Sequence, residues 1–84
     1  MAEVTLTPEA AKQFDSLPRP IQARMVRLQG RLERWPNVSG ARPLSGELAG
    51  RWRLRTGDYR LQFRVEGETV VIEKIAHRDR FYED

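Results

Sequence analysis

The 84-residue sequence contains no cysteine and a single histidine, His77. A disulfide framework and a thiolate zinc site are excluded, and there is no histidine cluster from which a metal centre could be built. Lysine is almost as scarce, because of the fifteen basic residues only Lys12 and Lys74 are not arginine. No apolar run approaches the roughly 20 residues that cross a bilayer, and Met1-Ala2-Glu3 does not open a basic-then-apolar leader. The expectation is a cytoplasmic protein with no membrane span, no metal and no cofactor. The length leaves room for one domain, 1–84, with a thin core, since a chain this small removes only about 60% of its unfolded surface from water. A spacious internal cavity is not expected.

What is abundant is arginine. Fifteen basic residues against twelve acidic ones give a net charge of +3, but the distribution is uneven. The stretch from Arg51 to Arg64 holds Arg51, Arg53, Arg55, Arg60 and Arg64 against Asp58 alone. Guanidinium groups match planar anions such as phosphates and also stack on bases.

Periodicity divides the chain into helical and strand-like parts. Glu3-Val4-Thr5-Leu6-Thr7 alternates as a short strand does, and Thr7-Pro8-Glu9 opens a helix with an N-cap threonine, a first-turn proline and an acid at the positive end of the dipole. Ala10, Phe14 and Leu17 form its apolar stripe. Pro18-Arg19-Pro20 ends that helix and starts another, in which Ile21, Met25, Leu28, Leu32 and Trp35 recur every three or four residues until Pro36. The short join predicts an antiparallel helical hairpin. Asn37 to Gly50 reads as an irregular connection rich in Gly, Pro and Ser.

After Gly50 the period becomes two. Trp52 and Leu54 alternate with Arg51, Arg53 and Arg55, Thr56-Gly57-Asp58 makes a turn, and Tyr59, Leu61, Phe63 and Val65 alternate with Arg60, Gln62 and Arg64. This hairpin has one oily face and one basic face. Glu66-Gly67-Glu68 turns into Thr69–Ala76, which is apolar on both sides and predicts a more enclosed strand. The tail from His77 reads as polar. The fold expected is α+β: an N-terminal strand, then an antiparallel helical hairpin packed on a small, mainly antiparallel sheet that ends in a three-stranded meander. The helices cover the oily face and leave the other open and basic. Trp35 and Trp52 fit the apolar periods and belong to the core.

On that open face Arg51, Arg53 and Arg55 form one row, with Arg60 and Arg64 across the hairpin. Like charges so close repel unless they meet anions, and nucleic-acid phosphates are common anions of that spacing. A plain solvated face would be served equally well by lysine and glutamate. His77, with an unperturbed pKa near neutrality, stands beside Arg78, Arg80 and Tyr82, where it could act as an acid or base or simply make structural hydrogen bonds. Tyr82 could stack on a base, move a proton or anchor the tail.

Pro43-Leu44-Ser45-Gly46, the run Gly50-Arg51-Trp52-Arg53-Leu54-Arg55-Thr56-Gly57-Asp58-Tyr59-Arg60-Leu61, and Ile75-Ala76-His77-Arg78-Asp79-Arg80-Phe81-Tyr82 together resemble the RelE/ParE toxin superfamily, and the order of elements agrees across nearly the whole chain. The resemblance implies the toxin of a type II toxin–antitoxin pair with a cognate antitoxin as partner. Its RelE branch cuts messenger RNA on the ribosome and its ParE branch poisons DNA gyrase; a member that has lost the reaction could retain antitoxin or RNA binding. The nuclease positions of the RelE branch match Arg51, Arg53, Arg60, Arg78 and Tyr82, with His77 where several relatives carry histidine. A metal-independent endoribonuclease is thereby implied, with Arg53, Arg60, Arg78, Tyr82 and His77 catalytic and Arg51, Arg55, Arg64 and Arg80 binding RNA. Arg51 and Arg53 replace lysines of the best-known member. Arginine stays protonated, so these positions suit phosphate binding better than proton transfer. The antitoxin is implied to lay an acidic, helical segment across the open sheet or the helical hairpin.

Overall fold

The structure, a computed structural model, describes residues 1–81. In chain order the elements are β1 (Glu3–Leu6), α1 (Pro8–Asp15), α2 (Arg19–Leu32), β2 (Arg42–Pro43), β3 (Arg51–Thr56), β4 (Tyr59–Glu66) and β5 (Thr69–His77). Thr7 leaves the first strand to cap α1, its Oγ1 accepting from the Ala10 amide at 3.1 Å. Pro8 occupies the first turn, where its missing N–H costs nothing. The second helix is shorter than its apolar period, ending at Leu32, and Trp35 sits in a tight turn in which its amide bonds to the Leu32 carbonyl at 3.0 Å.

The sheet has the order β1-β5-β4-β3-β2. Three of its four pairings are antiparallel, and β1 lies parallel to β5, with Glu3 opposite Thr69 and Leu6 opposite Ile72. The expected irregular connection therefore contains a strand: Arg42 and Pro43 pair with Arg53 and Trp52. Proline cannot donate to a ladder, so a two-residue strand containing it is confined to an edge.

Both helices pack on one face. Ala10 of α1 and Met25, Leu28 and Leu32 of α2 meet Leu54, Leu61, Phe63, Val70, Ile72 and Ile75 of the sheet, forming one buried cluster. Trp35 closes its end edge-on to Trp52 at 5.0 Å and to Phe63 at 5.3 Å, the core role expected for both tryptophans. The tail departs from the polar reading, because Phe81 is only 2% exposed and lies outside this cluster. Lys74 Nζ stands 5.3 Å from its ring centroid.

Candidate functional site

The face away from the helices carries Arg51, Arg53 and Arg55 from β3 and Arg60, Gln62 and Arg64 from β4. The register sets Arg51 opposite Arg64, Arg53 opposite Gln62, and Arg55 opposite Arg60. This is the basic face expected from the two-residue period. Its centre, however, is occupied by an acid. Phe63 pairs with Ile72 while Gln62 pairs with Lys74, so Glu73 is the extra residue of a β-bulge.

Glu73 extends over β4. Its Oε1 accepts from Arg51 Nε at 2.9 Å and from Gln62 Nε2 at 3.1 Å, and its Oε2 accepts from Arg64 Nη1 at 2.7 Å. Arg64 Nε also pairs with Glu66 at 2.8 Å. Burial by itself would push the Glu73 carboxyl up, but the hydrogen bonds from Gln62 and Arg64 and the charge of Arg51 outweigh it and hold the group below its ordinary value. The expectation of an open, basic face is amended at one point, where Glu73 stands among its arginines. Arg51 and Arg64 share an internal anion, which relieves the repulsion that the row would otherwise suffer.

The other end of the hairpin differs. Among the described residues no carboxylate pairs with Arg55 or Arg60. Arg60 Nη1 folds back onto the turn, donating to the Gly57 carbonyl at 3.1 Å and the Tyr59 carbonyl at 3.3 Å. Carbonyls orient the guanidinium and leave its charge uncompensated. Arg78 reaches the same turn through its amide, bonded to the Asp58 carbonyl at 2.7 Å, and its side chain makes only loose, exposed contacts at 3.8 Å to Asp58 and Asp79. Gly57 makes this possible. Its φ of 58° is a left-handed conformation that other residues rarely adopt, and a Cβ there would lie 3.0 Å from Arg24 Nη1.

His77 ends β5 opposite Tyr59, the two rings edge-on at 5.2 Å. Its Nδ1 accepts from the Asp79 amide at 3.2 Å, so a neutral ring carries its proton on Nε2. An open cleft of about 1040 Å³ between α1 and β5 brings His77, Arg80 and Arg51 to one surface with Lys12, Tyr59 and Glu73. Arg53, Arg55, Arg60 and Arg78 do not line it. Of the sequence-predicted residues, Arg55, Arg60 and Arg78 stand at the turn end of the hairpin, Arg51, His77 and Arg80 line the cleft, and Arg53 and Arg64 lie on the strand face in neither group. Tyr82 lies outside the described residues.

Two residues escaped sequence reasoning. The acid in the apolar run Val70-Val71-Ile72-Glu73 was the available signal for the bulge, and Phe81 between Arg80 and Tyr82 was the signal for an anchored tail.

A helical hairpin on one face of a β1-β5-β4-β3-β2 sheet, with arginines gathered on the other, is the architecture of a RelE-like toxin. The family model described as the ParE toxin of type II toxin–antitoxin systems, parDE, matches residues 4–82, and the chain belongs to this family. Toxin RelG of Mycobacterium tuberculosis is 40% identical over 82 residues, which cover 94% of this chain and 93% of RelG. The RelBE2 toxin–antitoxin complex of the same organism contains a chain that is 39% identical, with a TM-score of 0.81 over 92% of this chain and 91% of that one. The fold is also that of the isolated Escherichia coli RelE toxin, at a TM-score of 0.77 with 12% identity over 92% of this chain and 84% of that one. The protein is therefore a RelE-like toxin of a type II toxin–antitoxin system.

Proposed function

We propose that this toxin inhibits translation by cutting messenger RNA on the ribosome, without a metal, and that a cognate antitoxin silences it. The observation that carries the reading is the hairpin turn, where the Arg60 guanidinium is aimed by backbone carbonyls and the Arg78 backbone is tied to the Asp58 carbonyl. The oriented guanidinium of Arg60, its charge uncompensated, suits a phosphate that gains negative charge in the transition state, with the more loosely held Arg78 side chain at the same turn. Such donors are worth about 3–4 kcal/mol each when preorganised.

In the proposed reaction the 2′-hydroxyl of one nucleotide attacks its own 3′-phosphate. Its proton passes to a base, the bond to the next nucleotide's 5′-oxygen breaks, and that oxygen takes up a proton. The products are a 2′,3′-cyclic phosphate and a 5′-hydroxyl. Arg53 and Arg60 stabilise the developing charge, Arg78 stands near the leaving oxygen, and Arg51, Arg55, Arg64 and Arg80 bind the RNA backbone. Tyr82 and His77 are the candidate bases. For His77 to accept a proton at Nδ1, the contact with the Asp79 amide must open, whereas Nε2–H is ready to donate to a phosphate oxygen.

The antitoxin assignment is supported by relatives solved as complexes: the RelBE2 pair of Mycobacterium tuberculosis and an archaeal RelE–RelB pair from Pyrococcus horikoshii, the latter at 26% identity and a TM-score of 0.75. The test is primer extension on a reporter messenger RNA in a purified translation system, with wild type and an Arg60→Ala/Arg78→Ala variant. Cuts that require ribosomes and vanish in the variant are expected. Continued translation with inhibited supercoiling by gyrase would replace this reading with the gyrase-directed one.

A further inference from the structure

We propose that α2 carries a second phosphate-binding surface, a row of arginines that holds the backbone of double-helical RNA next to the candidate site. Residues 19–34 contain Arg19, Arg24, Arg27, Arg31 and Arg34 with Glu33 as their only acid. Met25, Leu28 and Leu32 turn inward, and all five arginines are exposed. Arg24, Arg27 and Arg31 are spaced by three and four residues, which places them on one flank of the helix, and Arg34 extends the spacing into the following turn. At 1.5 Å per residue the row spans about 15 Å.

Three features separate this row from a merely soluble helix face. Among the described residues no carboxylate pairs with any of the five arginines. Arg31 is oriented by the Ser39 carbonyl and, at 3.4 Å, by Ser39 Oγ, contacts that fix its direction and leave its charge uncompensated. Arg24 reaches over Gly57, so the row meets Arg60 and Arg78 at the hairpin turn and the two basic surfaces become one band.

The chemistry of the band selects its partner. A docked protein helix needs an apolar seam with large side chains at its centre, yet the exposed apolar residues of α2 are Pro20, Ala23, Val26 and Gly30, of which Val26 alone is a large hydrophobic. Protein–nucleic acid interfaces are instead polar and strongly positive. A rigid row on a helix matches phosphates held at regular spacing by a duplex, and A-form RNA is recognised largely through that backbone. The proposal rests on the reading that the toxin acts on RNA, and it adds a docking surface remote from the bond that is cut.

The test is a salt titration of the full-length toxin binding a short RNA hairpin, with wild type and an Arg27→Gln/Arg34→Gln variant. Both side chains are exposed, and an unchanged melting temperature checks the fold. The slope of log K against log salt should become shallower by about 1.5 to 2, and affinity at low salt should fall by about tenfold or more. Undiminished duplex binding by the variant overturns the proposal, as does a wild type that fails to bind the hairpin. It is equally overturned if the substitutions weaken only the complex with the antitoxin. Failure of the ribonuclease reading looks different: row-dependent duplex binding persists while ribosome-dependent cuts are absent.

Discussion

Glu73 and Arg51 form an ion pair across an intervening strand, with Nε 2.9 Å from Oε1. Their strands, β5 and β3, are not neighbours in the sheet. The pair passes over Gln62 of β4, which donates to the same oxygen at 3.1 Å. Removing the carboxylate leaves Arg51 and Arg64 without their shared anion, so Glu73→Gln should destabilise the protein by about 1–3 kcal/mol, between the values for exposed and buried pairs. Urea denaturation at neutral pH measures this.

The same substitution should change the response to acid. Because the folded Glu73 carboxyl lies below its ordinary value of 4.5, its contribution is complete above that pH and is lost as pH falls through the folded value. The stability gap between wild type and Glu73→Gln should therefore narrow progressively below about pH 4.5. A gap that stays constant down to pH 3, roughly a unit below the ordinary carboxylate value, would show that the carboxylate is not held by its arginines.

Phe81 carries the tail. Truncating a fully buried aromatic ring costs about 3–5 kcal/mol in a core, and this ring, 2% exposed but outside the main cluster, should lie near the lower figure. Phe81→Ala should thus lower stability by about 3 kcal/mol. It should also reduce activity, because His77, Arg78 and Arg80 share the segment that the ring anchors. Chemical denaturation together with the primer-extension assay separates the two effects.

At the turn, Gly57→Ala should cost about 1–2 kcal/mol through its left-handed φ and should push the Arg24 guanidinium away from the 3.0 Å approach. Thermal melting reads the first effect. The second appears as weaker binding of duplex RNA than the loss of stability explains.

Arg60→Ala should reduce single-turnover cleavage by about 10²–10³-fold, the effect of losing one preorganised donor. Its two bonds are to nearby carbonyls and it is not in the core, so its melting temperature should change little. Full cleavage by a folded Arg60→Ala protein would remove Arg60 from the site.

Much of this was legible in the residues because the relevant periods are long and regular. The alternation of Trp52 and Leu54 with arginines, continued by Leu61 and Phe63, identified the hairpin and both its faces. The offsets of Met25, Leu28 and Leu32 identified α2. Arg42-Pro43 was hidden because two residues have no period and proline speaks against a strand. Glu73 was hidden because its role depends on β5 lying beside β4 and on a bulge that turns one residue of an apolar run toward the arginines. The arginine row of α2 was obscured because charged residues opposite an apolar stripe are what any solvated amphipathic helix presents.

The parallel pairing of β1 with β5 has a consequence for synthesis. It closes the chain between residue 3 and residue 69, so the N-terminal strand cannot find its place until β5 has left the ribosomal tunnel. Glu73, which organises the arginine face, arrives with that strand. The sheet therefore cannot be completed on the β1 side, nor its arginine face ordered by Glu73, before β5 has emerged.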